Sequence, residues 1–255
     1  MELLNTVKRR PFWSEIVYYL FNIGLAVILL LIALFIQSPY PALVFVLLSK
    51  WRVVAVRPRF WWTNIQANLV DIIVGLGFVG LMYMPGASLV LRVILAILYA
   101  IWLIIIKPMS KQWQIILQAA IAIFIGSMAL MSVSASWPAF VVVFALFTIG
   151  YSAARHFLYS HEEEQMVLLS LMWGIVFAEL GWLAYFWNFS YLVALSAKIP
   201  QLTFILMLLS FLAERTYSSW KKHQHKIKID ELYAPAIFSL VIIFVMVIFF
   251  NSVVI

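Results

Sequence analysis

The stretch KWRVVAVRPRFWWTNIQANLVD, residues 50–71, sets four cations, two asparagines and an aspartate inside a chain that is 66% hydrophobic. How this run is read decides the fold. If it joins two crossings of a membrane, the count of crossings is odd; if the apolar residues before it do not cross, every later segment is inverted. The rest of the 255-residue sequence favours the first reading.

Charged residues make up 11% of the chain and the mean hydropathy is +1.06, outside the range of a soluble domain. Apolar segments recur at residues 16–37, 40–56, 64–84, 88–106, 112–131, 136–154, 164–186, 190–213 and 232–254. Each approaches the ~20 residues that a helix needs to cross a bilayer. The expected fold is therefore all-α, a polytopic transmembrane helix bundle of about nine helices forming one domain over residues 1–255. The segment at 40–56 is the shortest, because Lys50 and Arg52 interrupt it. The first apolar run follows Lys8, Arg9 and Arg10 without a small-residue cleavage site, so it reads as a retained helix rather than a signal peptide.

Lysine and arginine tend to remain in cytoplasmic loops. With residues 1–14 as a short cytoplasmic N-terminus, nine crossings place 15 of the 17 Lys and Arg residues at or near the cytoplasmic side, leaving Arg92 and Lys198. The loops QSPYP, MPGAS, SVSAS and WNFS, and the C-terminal NSVVI, then lie outside and carry no charge. Residues 214–231 read as a cytoplasmic loop, and the expected location is the cytoplasmic membrane of a prokaryote.

In the third segment Asn64, Asn68, Asp71 and Gly75 are spaced by four, three and four, which aligns them on one helical face. Lys50 and Asp71 are about equally far from a turn near residues 60 and 61, so a hairpin would set them at the same depth. An isolated Asp or Lys within the bilayer costs on the order of 2.5–3.5 kcal/mol, which pairing relieves. A Lys50–Asp71 pair is expected. Arg52, Arg57 and Arg59 suit anionic lipid headgroups, with Trp61 and Trp62 at the apolar boundary.

The same logic applied to FAELGWLAYFWNFSYLVALSAKIPQ sets Glu179 and Lys198 symmetrically about residues 188 and 189, with Gln201 close by. Lys50, Asn64, Asn68, Asp71, Glu179, Lys198 and Gln201 are the candidate substrate-binding residues. Ser160 and Glu163 in SHEEEQ have the spacing of a capping box opening the seventh helix. With no cysteine in the chain, thiolate metal sites and iron–sulfur clusters are excluded. No metal or other cofactor is expected, and cations scattered through short loops make no nucleic-acid face.

Three classes of function fit these residues. The first is a carrier or permease for a small ion or an anionic, lipid-linked compound. The second is a non-catalytic subunit or scaffold whose partners are other membrane proteins or further copies of itself. The third is an intramembrane lipid-processing enzyme using Asp71 or Glu179 as general base, for which no nucleophile or metal set is evident.

Overall fold

The computed structural model describes residues 12–108, 111–187, 189–192, 198–224 and 226–249. Nine α-helices run along them: α1 (Phe12–Phe35), α2 (Tyr40–Ser49), α3 (Trp61–Met82), α4 (Leu89–Ile101), α5 (Gln112–Val133), α6 (Ala139–Ser160), α7 (Met166–Phe186), α8 (Gln201–Lys222) and α9 (Ile229–Phe249). Seven stretches are long and apolar enough to cross a membrane, and they contain every helix except α2 and α8. The protein is thus an integral, multi-pass helical bundle. Most of the N-terminal segment expected at 1–14, and the final six residues, lie outside the described residues.

Two apolar cores meet at α5. One joins α1 to α4 through residues such as Leu29, Val46, Val74 and Trp102, and it takes Ala122, Ile125 and Ala129 from α5. The other joins α5 to α8 around Ile123, Leu146, Phe177 and Leu206. Small residues set how closely the helices approach. A Cβ on Gly77 would stand 2.7 Å from the Ile125 side chain and 3.1 Å from its carbonyl oxygen, so α3 and α5 touch nearly backbone to backbone.

The segment expected as a continuous helix over 40–56 is instead broken. α2 stops at Ser49 after ten residues, ~15 Å at 1.5 Å per residue, half of the hydrocarbon thickness. Short 3₁₀ turns at Trp51–Val53 and Pro58–Phe60 then carry the chain beside α3. Side chains of α3 mark the descent. Gly75 faces Val46, Asp71 meets Lys50, the Asn64 amide donates to the Val53 carbonyl at 2.7 Å, and the Trp61 indole donates to the Val54 and Val56 carbonyls at 2.9 and 3.0 Å. After the helix stops at Ser49 the chain continues through Val53, Val54 and Val56 to Pro58, and α3 supplies donors to the carbonyls of those three valines.

A second departure lies before α8. Residues 190–213 read as one apolar helix, but Ser190–Leu192 and Lys198–Pro200 pair as two antiparallel strands, β1 and β2. Pro200 cannot donate within a helix, and α8 starts directly after it, with the Gln201 amide bonded to the Phe189 carbonyl at 2.7 Å. The helix is therefore displaced toward the C-terminus and runs through Glu214, Arg215, Lys221 and Lys222. The loop expected at 214–231 shrinks to residues 223–228. The capping box is also not formed: Ser160 belongs to the last turn of α6 and donates to Phe157, while α7 starts at Met166 without a side-chain cap.

Glu163 instead ties the α6–α7 loop to α8. It accepts from the Tyr217 hydroxyl at 2.5 Å and pairs with Lys221 at 3.5 Å, and the tyrosine bond holds its carboxyl below the usual range. A depressed pKa contributes stability that is present above the unfolded value and is lost as pH falls through the folded one. Tyr217→Phe is accordingly expected to lower the melting temperature in detergent at pH 7, with the difference from wild type narrowing as the pH is taken below ~4. A pH-independent difference would contradict this bond. At the α3–α5 contact, Gly77→Ala is expected to cost about 1–3 kcal/mol by overpacking, read as a lower melting temperature in the same detergent.

Candidate functional site

Asp71 is 8% exposed in the middle of α3, and three donors converge on it. Lys50 Nζ lies at 2.5 Å and Lys107 Nζ at 2.7 Å from Oδ2, while the Trp102 indole N–H donates to Oδ1 at 3.2 Å. The expected Lys50–Asp71 pair is thus formed, and Lys107 is an addition. Lys50, 8% exposed, caps the end of the half-helix α2, where free carbonyls favour positive charge. Lys107 is different, because 37% of its side chain is exposed and it connects the cluster with the surface. Two ammonium groups on one carboxylate leave the cluster one positive charge in excess.

The end of α4 explains why both Trp102 and Lys107 reach one carboxylate. At ~100° per residue an α-helix would point residues five apart about 140° away from each other. Residues Trp102–Ile106 instead form a π-turn, in which the Lys107 amide bonds to the Trp102 carbonyl at 2.8 Å. The wider turn brings the two side chains to the same side, and turns of this kind recur at functional sites. Gln118 secures the segment from α5, donating to the Ile106 carbonyl at 2.7 Å and meeting His156 of α6 at 2.8 Å.

One helical turn deeper, beside Gly75, lies the Tyr99 hydroxyl. Tyr99 is 0% exposed and, among the described residues, its hydroxyl has no hydrogen-bond partner. A Cβ at position 75 would come within 3.2 Å of that oxygen, so the glycine makes the space it occupies. A polar line therefore leads from partly exposed Lys107, through Lys50 and Asp71, to a buried hydroxyl.

The other candidates fall into two groups. Asn64 and Asn68 lie on the Asp71 face but bond to backbone, Asn64 to Val53 and Asn68 to the Asn64 carbonyl, and so support the broken segment. Arg52, Arg57 and Arg59 are exposed near the same end, with Arg59 over the Phe60 ring at 4.5 Å.

Glu179 and Lys198 form no ion pair among the described residues. Lys198 lies in β2 rather than mid-helix, and Glu179 is exposed on α7. The packing face of α7 is marked by Ser170, Gly174, Phe177 and Gly181, and Glu179 is ~200° around the helix from Phe177. Gln201 is buried and donates to the Met246 carbonyl at 2.8 Å, joining the start of α8 to the end of α9. Lys107, Trp102 and Tyr99 were not among the sequence candidates. The available signal was Lys107 directly before Pro108, which ends a crossing on the same side as the α2–α3 turn.

No protein-family model matches the chain, and no curated protein or solved structure gives a significant match. The site therefore stands on its own chemistry.

Removing Asp71 strands Lys50 without an anion, whereas Lys107 can turn to solvent. Asp71→Asn is expected to cost ~3–5 kcal/mol, and Lys107→Gln under ~1. A combined Asp71→Leu, Lys50→Met change should recover most of the loss, because both charges then leave the interior. Unfolding in detergent, followed for all three variants, measures the differences.

Proposed function

We propose that this protein is a carrier or permease of a cellular membrane for an anionic group, either a small anion or the headgroup of a lipid-linked compound. The observation that carries this reading is the cluster at the break in α2: two lysines on one aspartate, net positive, open to the surface through Lys107 and adjoining the unpartnered Tyr99 hydroxyl. Transporters commonly place substrate sites where a membrane helix is interrupted, since freed backbone groups and charged side chains can be exchanged there for ligand contacts. Lys107 is the group that first receives the anion, and Lys50 holds Asp71 in place until it is offered a second partner. The positive-inside tendency puts this end, with Arg52, Arg57 and Arg59, at the cytoplasmic side of a prokaryotic membrane, next to anionic lipid.

A second reading is favoured by the burial of Lys50 and Asp71. Three donors on one carboxylate also make a lock between α2, α3 and α4, as suits a non-catalytic subunit or scaffold. The enzyme reading gains least, because the Asp71 carboxylate is fully engaged by its donors and Glu179 faces outward.

Proteoliposomes separate the first two. Inorganic phosphate uptake and transbilayer movement of fluorescent phosphatidylglycerol are measured against phosphatidylcholine. A carrier should move one of the anionic probes faster than protein-free liposomes, with Lys107→Gln slowing that movement about tenfold at unchanged melting temperature, the loss of one charge-assisted contact. Movement of neither anion above the phosphatidylcholine rate, or full activity in Lys107→Gln, would overturn the carrier reading and leave the lock.

A further inference from the structure

A cavity of about 340 Å³ lies among α5, α6, α7 and α8, away from the Asp71 cluster, and its wall is mainly apolar. It arises because the facing positions of α5, α6 and α8 are occupied by alanines, and because α7 and α8 touch only sparingly. The space is partly open to the surroundings and reaches the roughly 300 Å³ at which ligand pockets begin. At the ~30 Å³ of a water molecule for each methylene, it would take an apolar chain of about ten carbons.

Its polar groups are not scattered. Ser210, Glu214 and Tyr217 follow one another on α8 at spacings of four and three and line the cavity along one stripe. Ser210 Oγ is turned out of the open space and, among the described residues, has no hydrogen-bond partner. Glu214 is enclosed, with 18% of its side chain exposed. It accepts from Ser218 at 2.9 Å and pairs at 3.4 Å with Arg215, whose side chain is 55% exposed and lies over Phe211. Glu163, in contrast, is answered by Tyr217 and Lys221. The cavity thus offers at one end a carboxylate whose cationic partner, Arg215, is itself more than half exposed, next to the ring of Tyr217, and hydrocarbon at the other around Ile123 and Met207.

We propose that this cavity binds an amphiphilic amine, its single apolar chain toward Ile123 and Met207 and its cationic head between the Glu214 carboxylate and the Tyr217 ring. A carboxylate and aromatic faces both attract a cationic head, and neither favours an anionic one. The proposal does not depend on the Asp71 cluster or on the carrier reading.

The test uses the full chain in nanodiscs and a long-chain alkylamine tipped with bromine, with the alcohol and the phosphate of the same chain length as controls. Quenching of Trp173 is taken as the difference between wild type and Trp173→Phe. The amine should quench saturably and bind more tightly than the alcohol or phosphate. Glu214→Gln should weaken the amine about tenfold while leaving the alcohol unchanged. Ala154→Leu, which fills the cavity, should remove saturable quenching at an unaltered or higher melting temperature; should it not fold, Ala120→Leu fills the same space from α5. Equal affinity for alcohol or phosphate, saturable quenching that survives the filled cavity, or quenching no greater than from brominated bilayer lipid would each overturn the proposal.

Discussion

Asp71 carries a negative charge into the centre of a bundle where water is scarce, and a charge there must be matched locally. The match comes from Lys50 and Lys107 together with the Trp102 indole, so one carboxylate fixes the relation of the half-helix α2 to α3 and the end of α4. α2 ends at the residue that must point toward Asp71. α4 widens into a π-turn so that Trp102 and Lys107 face the same oxygen atoms. α3 stays continuous, and its residues from Trp61 to Asn64 answer the carbonyls of the broken segment. The irregular backbone at membrane depth is a consequence of satisfying that one charge, with each exposed polar group met by a neighbour.

Around this constraint the bundle divides its labour. The α1–α4 side holds the ionic cluster in a tightly packed core. The α5–α8 side is built on small residues and keeps space open between helices. α5 serves both, with Gln118 directed at the end of α4 and Ala119 and Ile123 at the cavity. Its helical faces therefore separate a charged site from a mainly apolar one, which a single helix can do because neighbouring residues point ~100° apart.

Much of this is legible in the sequence where a local rule applies. The apolar segments announce nine helices, and the spacing of Asn64, Asn68 and Asp71 marks one face. Equal distance from a turn pairs Lys50 with Asp71. The same rule misleads at Glu179 and Lys198, since it assumes that both arms are helical and that both residues face each other. Pro200 delays α8, and the small residues at 170, 174 and 181 turn α7 so that Glu179 looks outward. Lys107 was not legible because it lies farther along the chain from the α3–α4 turn than Asp71 does, so equal distance from a turn does not pair them, and because a π-turn is not written in periodicity. Hydropathy also could not separate the strands at 190–192 and 198–200 from a crossing, because they lie within an apolar run.

All the groups of the ionic cluster lie between residues 50 and 107. During synthesis, then, Lys50 leaves the ribosome first, its counter-charge follows 21 residues later, and Lys107 completes the set before α5 has been made. For that interval a lysine must wait at the membrane boundary, and α2 is too short to hold it there alone. The two segments are best released into lipid as a pair, already joined, and the first half of the molecule then offers a finished surface on which the second half is laid down.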